Sequence, residues 1–387
     1  MKITFYSNFL NHHQLPFCIE MYKRLGKDFT FVATEMIPEE RLKLGYEDMN
    51  DKYSFVLTTY QNQKNYEKAL KLGVESDVVI IGSAPDEFIK DRIKQNKLTF
   101  RYSERIFKRG RYRIINPRVF ISLIKNHTRY RKRNLYMLCA SAYTAADFRL
   151  VGAYRKKTFK WGYFPEVLEY KVDELMEKKQ HTVPKILWVG RLLSLKQPED
   201  AIRVARMLKS SGYSFQMNII GSGEKEYILK NLIRQYDLDG NINMLGTMTP
   251  EEVRGYMEES NIFIFTSDFN EGWGAVLNEA MNSGCAVVAS HAIGSVPFLI
   301  RNRKNGLIYK NGDIKNLYNC VKDLIENPEW CNELGVEAYK TLKEMWNAEC
   351  ATDRLDRLIN ALLTEDKVEF TNGPCSEAEL ISHKYKY

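Results

Sequence analysis

Two carboxylates and two cations in the second half of the chain are spaced to grip one elongated ligand. Glu271 lies in a glycine-bearing loop, and Glu279, seven intervening residues on, falls in the helical pattern that follows. Such residues touch different parts of a ligand, unlike an i,i+4 pair, which shares one helix face. Gly272 and Gly274 admit a close backbone approach. At the start of that helix the amides of Gly274, Ala275 and Val276 would suit an anion, whether phosphate or carboxylate. Arg191, just past Gly190, and Lys196, five residues on, place two fixed positive charges near one phosphate-sized site. The plainer reading is of solvated charges near a helix start, and Glu-Gly-x-Gly is not specific by itself. Gly221-Ser222-Gly223 is weaker still, because it lacks the later glycine of a dinucleotide fingerprint.

The first half carries a different set. His12 and His13 lie just beyond the first apolar run. An imidazole titrates near neutrality, so either could bind an acceptor, orient a phosphate or move a proton. Alternatively, the Asn-His loop simply caps the next helix. Gly82-Ser83-Ala84-Pro85 marks a turn at a sheet edge. Between Arg92 and Arg133 stand fifteen Lys or Arg and one acid, Glu104. Glu104 either pairs with an arginine, the favoured reading, or acts on the acceptor. The field suits a membrane leaflet, a lipid-diphosphate acceptor or nucleic acid, or it is a solvated basic face. Within Arg109 to Arg133, Val119, Phe120, Leu123 and Ile124 have helical spacing, and Tyr112, Phe120 and Tyr130 interleave with arginines. That pattern fits a membrane interface. No RNA-binding or helix-turn-helix signature is present, so nucleic acid is not expected.

These side chains need elements to hold them, and the chain has room for two domains. It has 387 residues, 44% apolar and 27% charged, with a net charge of +8. Ile262 to Phe265 and Ala286 to Ala289 read as buried strands around a helix that Gly284 stops. Lys2 to Tyr6, Phe29 to Thr34, Phe55 to Thr58, Asp77 to Ile81, Leu98 to Tyr102 and Tyr136 to Ala140 form a similar rhythm earlier, closed by Thr158 to Tyr163. Thr249-x-x-Glu252 with Pro250 is a capping-box pattern. Glu329 to Leu362 reads as helix and 366–387 as a loosely held polar tail. No apolar run approaches the roughly 20 residues of a membrane span, and MKITFYSNFL reads as a first strand rather than a signal peptide. Seven cysteines without framework spacing point to a reducing cytoplasm.

Four ordered motifs between Pro184 and Tyr309 resemble the retaining glycosyltransferases of GT-B fold, family 4 (glycosyl transferases group 1). They are Val189-Gly190-Arg191-Leu192 with Lys196, Gly221-x-Gly223, Glu271-Gly272-Trp273-Gly274 with Glu279 and Gly284-Cys285-Ala286-Val287-Val288-Ala289, and Asn305-Gly306. The chain departs from the pattern at Trp273 for Phe, Ala286 for Pro and Gln197 for Gly. It also lacks the acid expected after Gly294 and the histidine expected past Tyr102.

The resemblance implies an α/β protein of two Rossmann-like, parallel-sheet domains facing each other across a cleft. The expected divisions are 1–166 for the acceptor, 167–183 as linker, 184–340 for the nucleotide sugar, and 341–365 as a helix crossing back. It implies that Arg191 and Lys196 hold the donor diphosphate, Glu279 the ribose, and Glu271 the sugar. Gly190, Gly221, Gly223, Met248, Gly272, Trp273, Gly274, Ala275 and Val276 would line the rest of the donor site. His12, His13, Ser83 and Glu104 would meet the acceptor, with His12 a candidate for chemistry. The donor would be a UDP or GDP sugar, used without a metal or other cofactor. The acceptor would be a glycan or polyprenyl-diphosphate-linked saccharide, at the cytoplasmic face of a bacterial membrane and in surface-polysaccharide assembly. A catalytically silent binding module, or a nucleotide-sugar epimerase of the same architecture, is the alternative.

Overall fold

A computed structural model describes residues 1–39, 42, 47–108, 110–367 and 370–381. Arg109 and the end of the expected tail lie outside the described residues. The chain forms two compact units, Met1–Glu166 together with Asn347–Ser382, and Val167–Trp346.

The first unit is built on seven parallel strands, β1 (Ile3–Ser7), β2 (Phe29–Ala33), β3 (Val56–Thr58), β4 (Val78–Ile81), β5 (Thr99–Ser103), β6 (Leu135–Cys139) and β7 (Thr158–Lys160). Their order is β3-β2-β1-β4-β5-β6-β7. Ile3 pairs with Phe29 on one side and Val78 on the other, so the strand order turns back between β1 and β4. All five residues of β1 and all four of β4 are buried. A parallel sheet covered on both faces favours near-continuous apolar runs, as in β4; in β1 only Thr4 and Ser7 are polar.

Arg92, the first member of the basic field, is not on the surface. It is wholly buried, with Nε donating to Thr99 Oγ1 (3.0 Å) and Nη2 to the Asp77 and Leu98 carbonyls (2.6 Å each). Burial pushes its guanidinium down to about 10, and its role is to tie strand starts together.

The second unit repeats the plan with six parallel strands, β8 (Lys185–Val189), β9 (Gln216–Ile220), β10 (Ile242–Gly246), β11 (Ile262–Phe265), β12 (Ala286–Ser290) and β13 (Leu307–Tyr309). They run in the order β10-β9-β8-β11-β12-β13. Its core joins Ile186, Trp188, Ile219, Ile264 and Val288 to Ala205 and Leu208 of the helix Pro198–Ser210. The Trp188 indole is satisfied by Thr266 Oγ1 (2.9 Å). Residues 167–183, read as a connection, fold onto this unit. Leu175 in the helix Val172–Glu177 is buried, and the Lys179 ammonium donates to the Met257 and Ser260 carbonyls (2.8 and 2.7 Å).

The expected helical stretch Glu329 to Leu362 is two helices, Pro328–Glu344 and Ala348–Thr364. Between them the Trp346 amide turns back to the Thr341 carbonyl (3.1 Å), and Asn347 Oδ1 caps the second helix through the Cys350 amide (2.8 Å). That second helix packs on Leu15–Leu25 in the first unit. The described part of 366–387 is not loose. Backbone bonds join Cys375 to Lys160 (2.8 Å), Lys160 to Ser376 (2.7 Å) and Ala378 to Thr158 (3.0 Å), and Cys375 is wholly buried. The segment covers the exposed edge of β7, a partner that composition does not reveal. Among the described residues no helix is long and apolar enough to cross a membrane, and all seven cysteines are free thiols.

Candidate functional site

In the second unit the strand order turns back between β8 and β11, whose Ile186 and Ile262 are paired. Crevices beyond the carboxyl ends of such neighbours are where open α/β sheets take ligands. Two of the expected motifs end up there. After β8 the chain closes against the loop after β9: the Gly190 amide bonds Ile220 (3.0 Å) and the Leu192 amide bonds Ser222 (2.8 Å). Gly221 sits at φ +131°, where a Cβ would lie 2.0 Å from the Gly190 carbonyl oxygen. Gly223 is equally constrained, its Cβ position lying 2.8 Å from the Leu192 oxygen. Both glycines therefore have a packing reason, which is to seat the loop that carries Arg191. Arg191 itself is exposed.

Lys196 ends a short turn, and its ammonium lies 2.5 Å from the Glu271 carboxylate, with the two side chains only 15% and 13% exposed. The contact is braced from the backbone. Thr266 Oγ1 donates to the Lys196 carbonyl (2.6 Å) and the Asp268 amide to that of Leu195 (2.9 Å). The Glu271 amide in turn bonds Asp268 (3.1 Å), and the lysine ammonium stands 5.6 Å from the Phe265 ring centroid. Gln197 follows in the left-handed region at φ +47°. The departure from the family's glycine is thus tolerated at a position that favours glycine; its side-chain oxygen accepts from Asn311 (2.7 Å).

Glu279 is the fourth residue of the helix Val276–Asn282, about one turn in and half-buried. Burial pushes its carboxyl up, opposed by the Arg254 charge. Arg254 reaches Asn282 Oδ1 (3.0 Å) and the Glu279 carbonyl (3.4 Å), so it braces the turn bearing that carboxylate. Gly274, at φ +80°, has no room for a Cβ beside the Phe265 ring (2.6 Å). Ala275 and Val276 start the helix, Gly272 is buried, and Met248 is half-buried in the loop after β10. Trp273 differs from expectation. Its side chain is fully buried, donating to Asn278 Oδ1 (2.8 Å) and packed 5.9 Å from the Trp346 ring. An indole is large and apolar enough to be drawn into the core, leaving only its backbone for a ligand.

In the first unit a cavity of about 420 Å³ opens beyond the carboxyl ends of β1, β4 and β5, lined among others by Asn11, Ser83, Arg101, Glu104, Lys108 and Tyr163. Glu104 is paired there, but with Lys108 rather than an arginine, and it also accepts from the Tyr163 hydroxyl (2.7 Å). Ser83 is exposed on the wall. His12 and His13 are not among the lining residues. Their ring centroids are 3.7 Å apart, and His13 stacks nearly parallel on Tyr163 at 5.5 Å. Nor are their imidazoles the helix cap: Asn11 Oδ1 takes the His13 and Gln14 amides (3.0 and 3.1 Å).

Behind the cavity Asp147 is buried between Arg105 (3.6 Å) and Arg111 (3.7 Å). Burial pushes its carboxyl up, with Arg105 opposing. His127, on the cavity wall, is pushed down to about 3 by burial and by Arg101, and bonds the Tyr154 hydroxyl (2.7 Å). Sequence reasoning missed Tyr163, Asn11 and Arg254, whose types signal nothing until their neighbours are known. Among the described residues neither unit by itself gathers three ligand-bearing His, Cys, Asp or Glu side chains around one point.

Residues 172–341 match the family model for glycosyl transferases group 1. The chain is an α/β protein of two Rossmann-like, parallel-sheet domains, consistent with the GT-B architecture. Anabaena HepE, solved in complex with UDP, superposes with a TM-score of 0.70 over 93% of this chain and 100% of that one, at 15% identity. A glycosyltransferase from Rickettsia africae gives 0.63 over 94% and 99%, at 16% identity. Among curated proteins, the amylovoran biosynthesis glycosyltransferase AmsK of Erwinia amylovora is 33% identical over 163 residues, 41% of this chain and 39% of that one. The chain thus spans about two fifths of the length of the first curated relatives it matches.

Proposed function

We propose that this protein is a retaining glycosyltransferase of family 4 that moves a sugar from a UDP or GDP sugar to a glycan or polyprenyl-diphosphate-linked acceptor. Its setting would be surface-polysaccharide assembly at the cytoplasmic face of a membrane. The observation that carries this reading is the Lys196–Glu271 contact at the turning point of the second sheet. It holds a cation and a carboxylate side by side where a diphosphate and its sugar would lie. The UDP in the HepE structure and the amylovoran biosynthesis named for AmsK support the donor and the setting.

As the glycosidic bond breaks, negative charge grows on the departing phosphate. Fixed cations placed there stabilise the transition state more than the ground state. Lys196 and the exposed Arg191 fill that role. Glu271, braced at its own amide, exchanges its lysine contact for sugar hydroxyls when the diphosphate occupies the cation. Glu279, one turn into its helix, takes the ribose. The departing phosphate helps deprotonate the acceptor on the same face, which preserves configuration. In the first unit the cavity holding Glu104 and Tyr163 receives the acceptor, with His12 and His13 beside it.

A thermal-shift panel of UDP, GDP and their sugars identifies the donor, since binding raises apparent stability by mass action. With that donor labelled, Lys196→Ala and Arg191→Ala are expected to lower turnover by about a hundredfold or more while far-ultraviolet circular dichroism stays native. Unchanged turnover would remove both residues from the diphosphate site.

A further inference from the structure

The helix Pro117–Asn126 has no buried residue, although half of it is apolar. At about 100° per residue its apolar side chains Val119, Phe120, Ile121, Leu123 and Ile124 cover roughly 200° of the wheel, twice the arc a surface helix needs to seat itself. Val119, Leu123 and Ile124 are half-buried, whereas Phe120 and Ile121 are 43% and 62% exposed. Tyr112 and Ile115, in the turn just before, are 69% and 79% exposed, and Leu150 is 46% exposed. The chain from 110 to 134 has eight Lys or Arg and no acid. Arg118 and Lys125 fall beside Ile121 on the wheel. Past the helix, Arg131, Lys132, Arg149 and Arg155 line a second cavity of about 630 Å³, and all four are exposed.

Not every cation of the field faces out. Arg92 is interior, Arg101 pairs with Asp86 (2.7 Å), and Arg105 with Asp147 (3.6 Å). Arg111 lies beside Asp147 (3.7 Å), and Lys94, though exposed, pairs with Asp91 (2.7 Å). Around the apolar side chains the exposed cations run from Arg113 to Arg133, extended by Arg149 and Arg155 from later in the chain.

We propose that this face docks the first unit on an anionic lipid bilayer, with Tyr112, Ile115, Phe120 and Ile121 entering the headgroup boundary. The surrounding cations, including the four around the second cavity, would meet lipid phosphates. Among the described residues these apolar side chains stay exposed, and they sit in a stretch rich in cations and without an acid, which matches an anionic interface in both of its chemical components. A nucleic acid would use the cations and leave Ile115 and Ile121 in water. The face deepens the reading of a lipid-borne acceptor, but binding requires no turnover, so the two fail separately.

The test is co-sedimentation of the full chain with vesicles of phosphatidylcholine alone or mixed with phosphatidylglycerol. Phosphatidylglycerol is expected to strengthen binding at least about tenfold, and added salt to weaken it. Ile121→Glu and, separately, Arg131→Glu with Lys132→Glu are expected to weaken binding to the mixed vesicles about tenfold or more. Because these side chains are exposed, the thermal midpoint should stay within about a degree or two. Equal binding to both vesicle types, no binding to either, or full binding by Ile121→Glu overturns the proposal. So does displacement by single-stranded RNA with Ile121→Glu unaffected, which would mark a polyanion site instead.

Discussion

At the residue scale, His127 offers a test of the first unit that needs no substrate. Burial first and Arg101 second hold its imidazole at about 3, while Asp86 pulls the other way. In the unfolded chain it titrates near 6.5. Between those values the unfolded state carries the extra proton. The stabilisation is therefore complete above about pH 7 and is lost as pH falls through 6.5 toward 3. Urea unfolding of wild type and His127→Gln at several pH values should show their stability difference shrinking by up to about 1.4 kcal/mol per pH unit on acidification. A difference independent of pH would refute the buried, neutral imidazole. That Lys196 and Glu271 share one site was legible through the family resemblance, since type and spacing alone were not specific, and the structure brings the two side chains together. Gln197 and Trp273 were not legible: a left-handed backbone and an inward-facing ring depend on loops that the residue names do not describe.

Elements were more legible than residues. The unbroken apolar runs of β4 and β11, and the near-continuous ones of β1 and β12, announce parallel strands covered on both sides. The capping box formed as its sequence indicates, with the Thr249 amide donating to the Glu252 carboxylate (2.8 Å) and the Glu252 amide to Thr249 Oγ1 (3.3 Å). Thr249→Ala should cost the helix Pro250–Glu259 about 1 kcal/mol in urea unfolding, and an unchanged midpoint would mean the cap is idle in solution. Met345-Trp346 could be read as the place where the chain crosses back, but the helix break there and the pairing of 375–378 with β7 escaped notice. Both are decided by contacts with residues far away in sequence, to which local propensity is blind.

For the whole molecule, the decisive feature is that the first unit is assembled from two separated stretches of chain. Ala351, Leu355, Leu358 and Ile359 are buried along the helix Ala348–Thr364, a one-sided stripe, and Arg24 lies 3.5 Å from Asp353. Truncation after Glu365 removes the strand-like cover of β7 and the buried Cys375, Ala378 and Ile381. It should lower the thermal midpoint by several degrees at about 1–3 kcal/mol lost; an unchanged midpoint would show that the segment only decorates β7.

The same arrangement bears on how the protein is made. The 180 residues of Val167–Trp346 leave the ribosome between the first stretch and the helix that completes its fold. At about 5–20 residues per second that gap lasts on the order of 10 to 40 seconds. Throughout it the nascent amino-terminal portion has an unfinished flank, open to chaperones and proteases, while the later unit can already mature beside it.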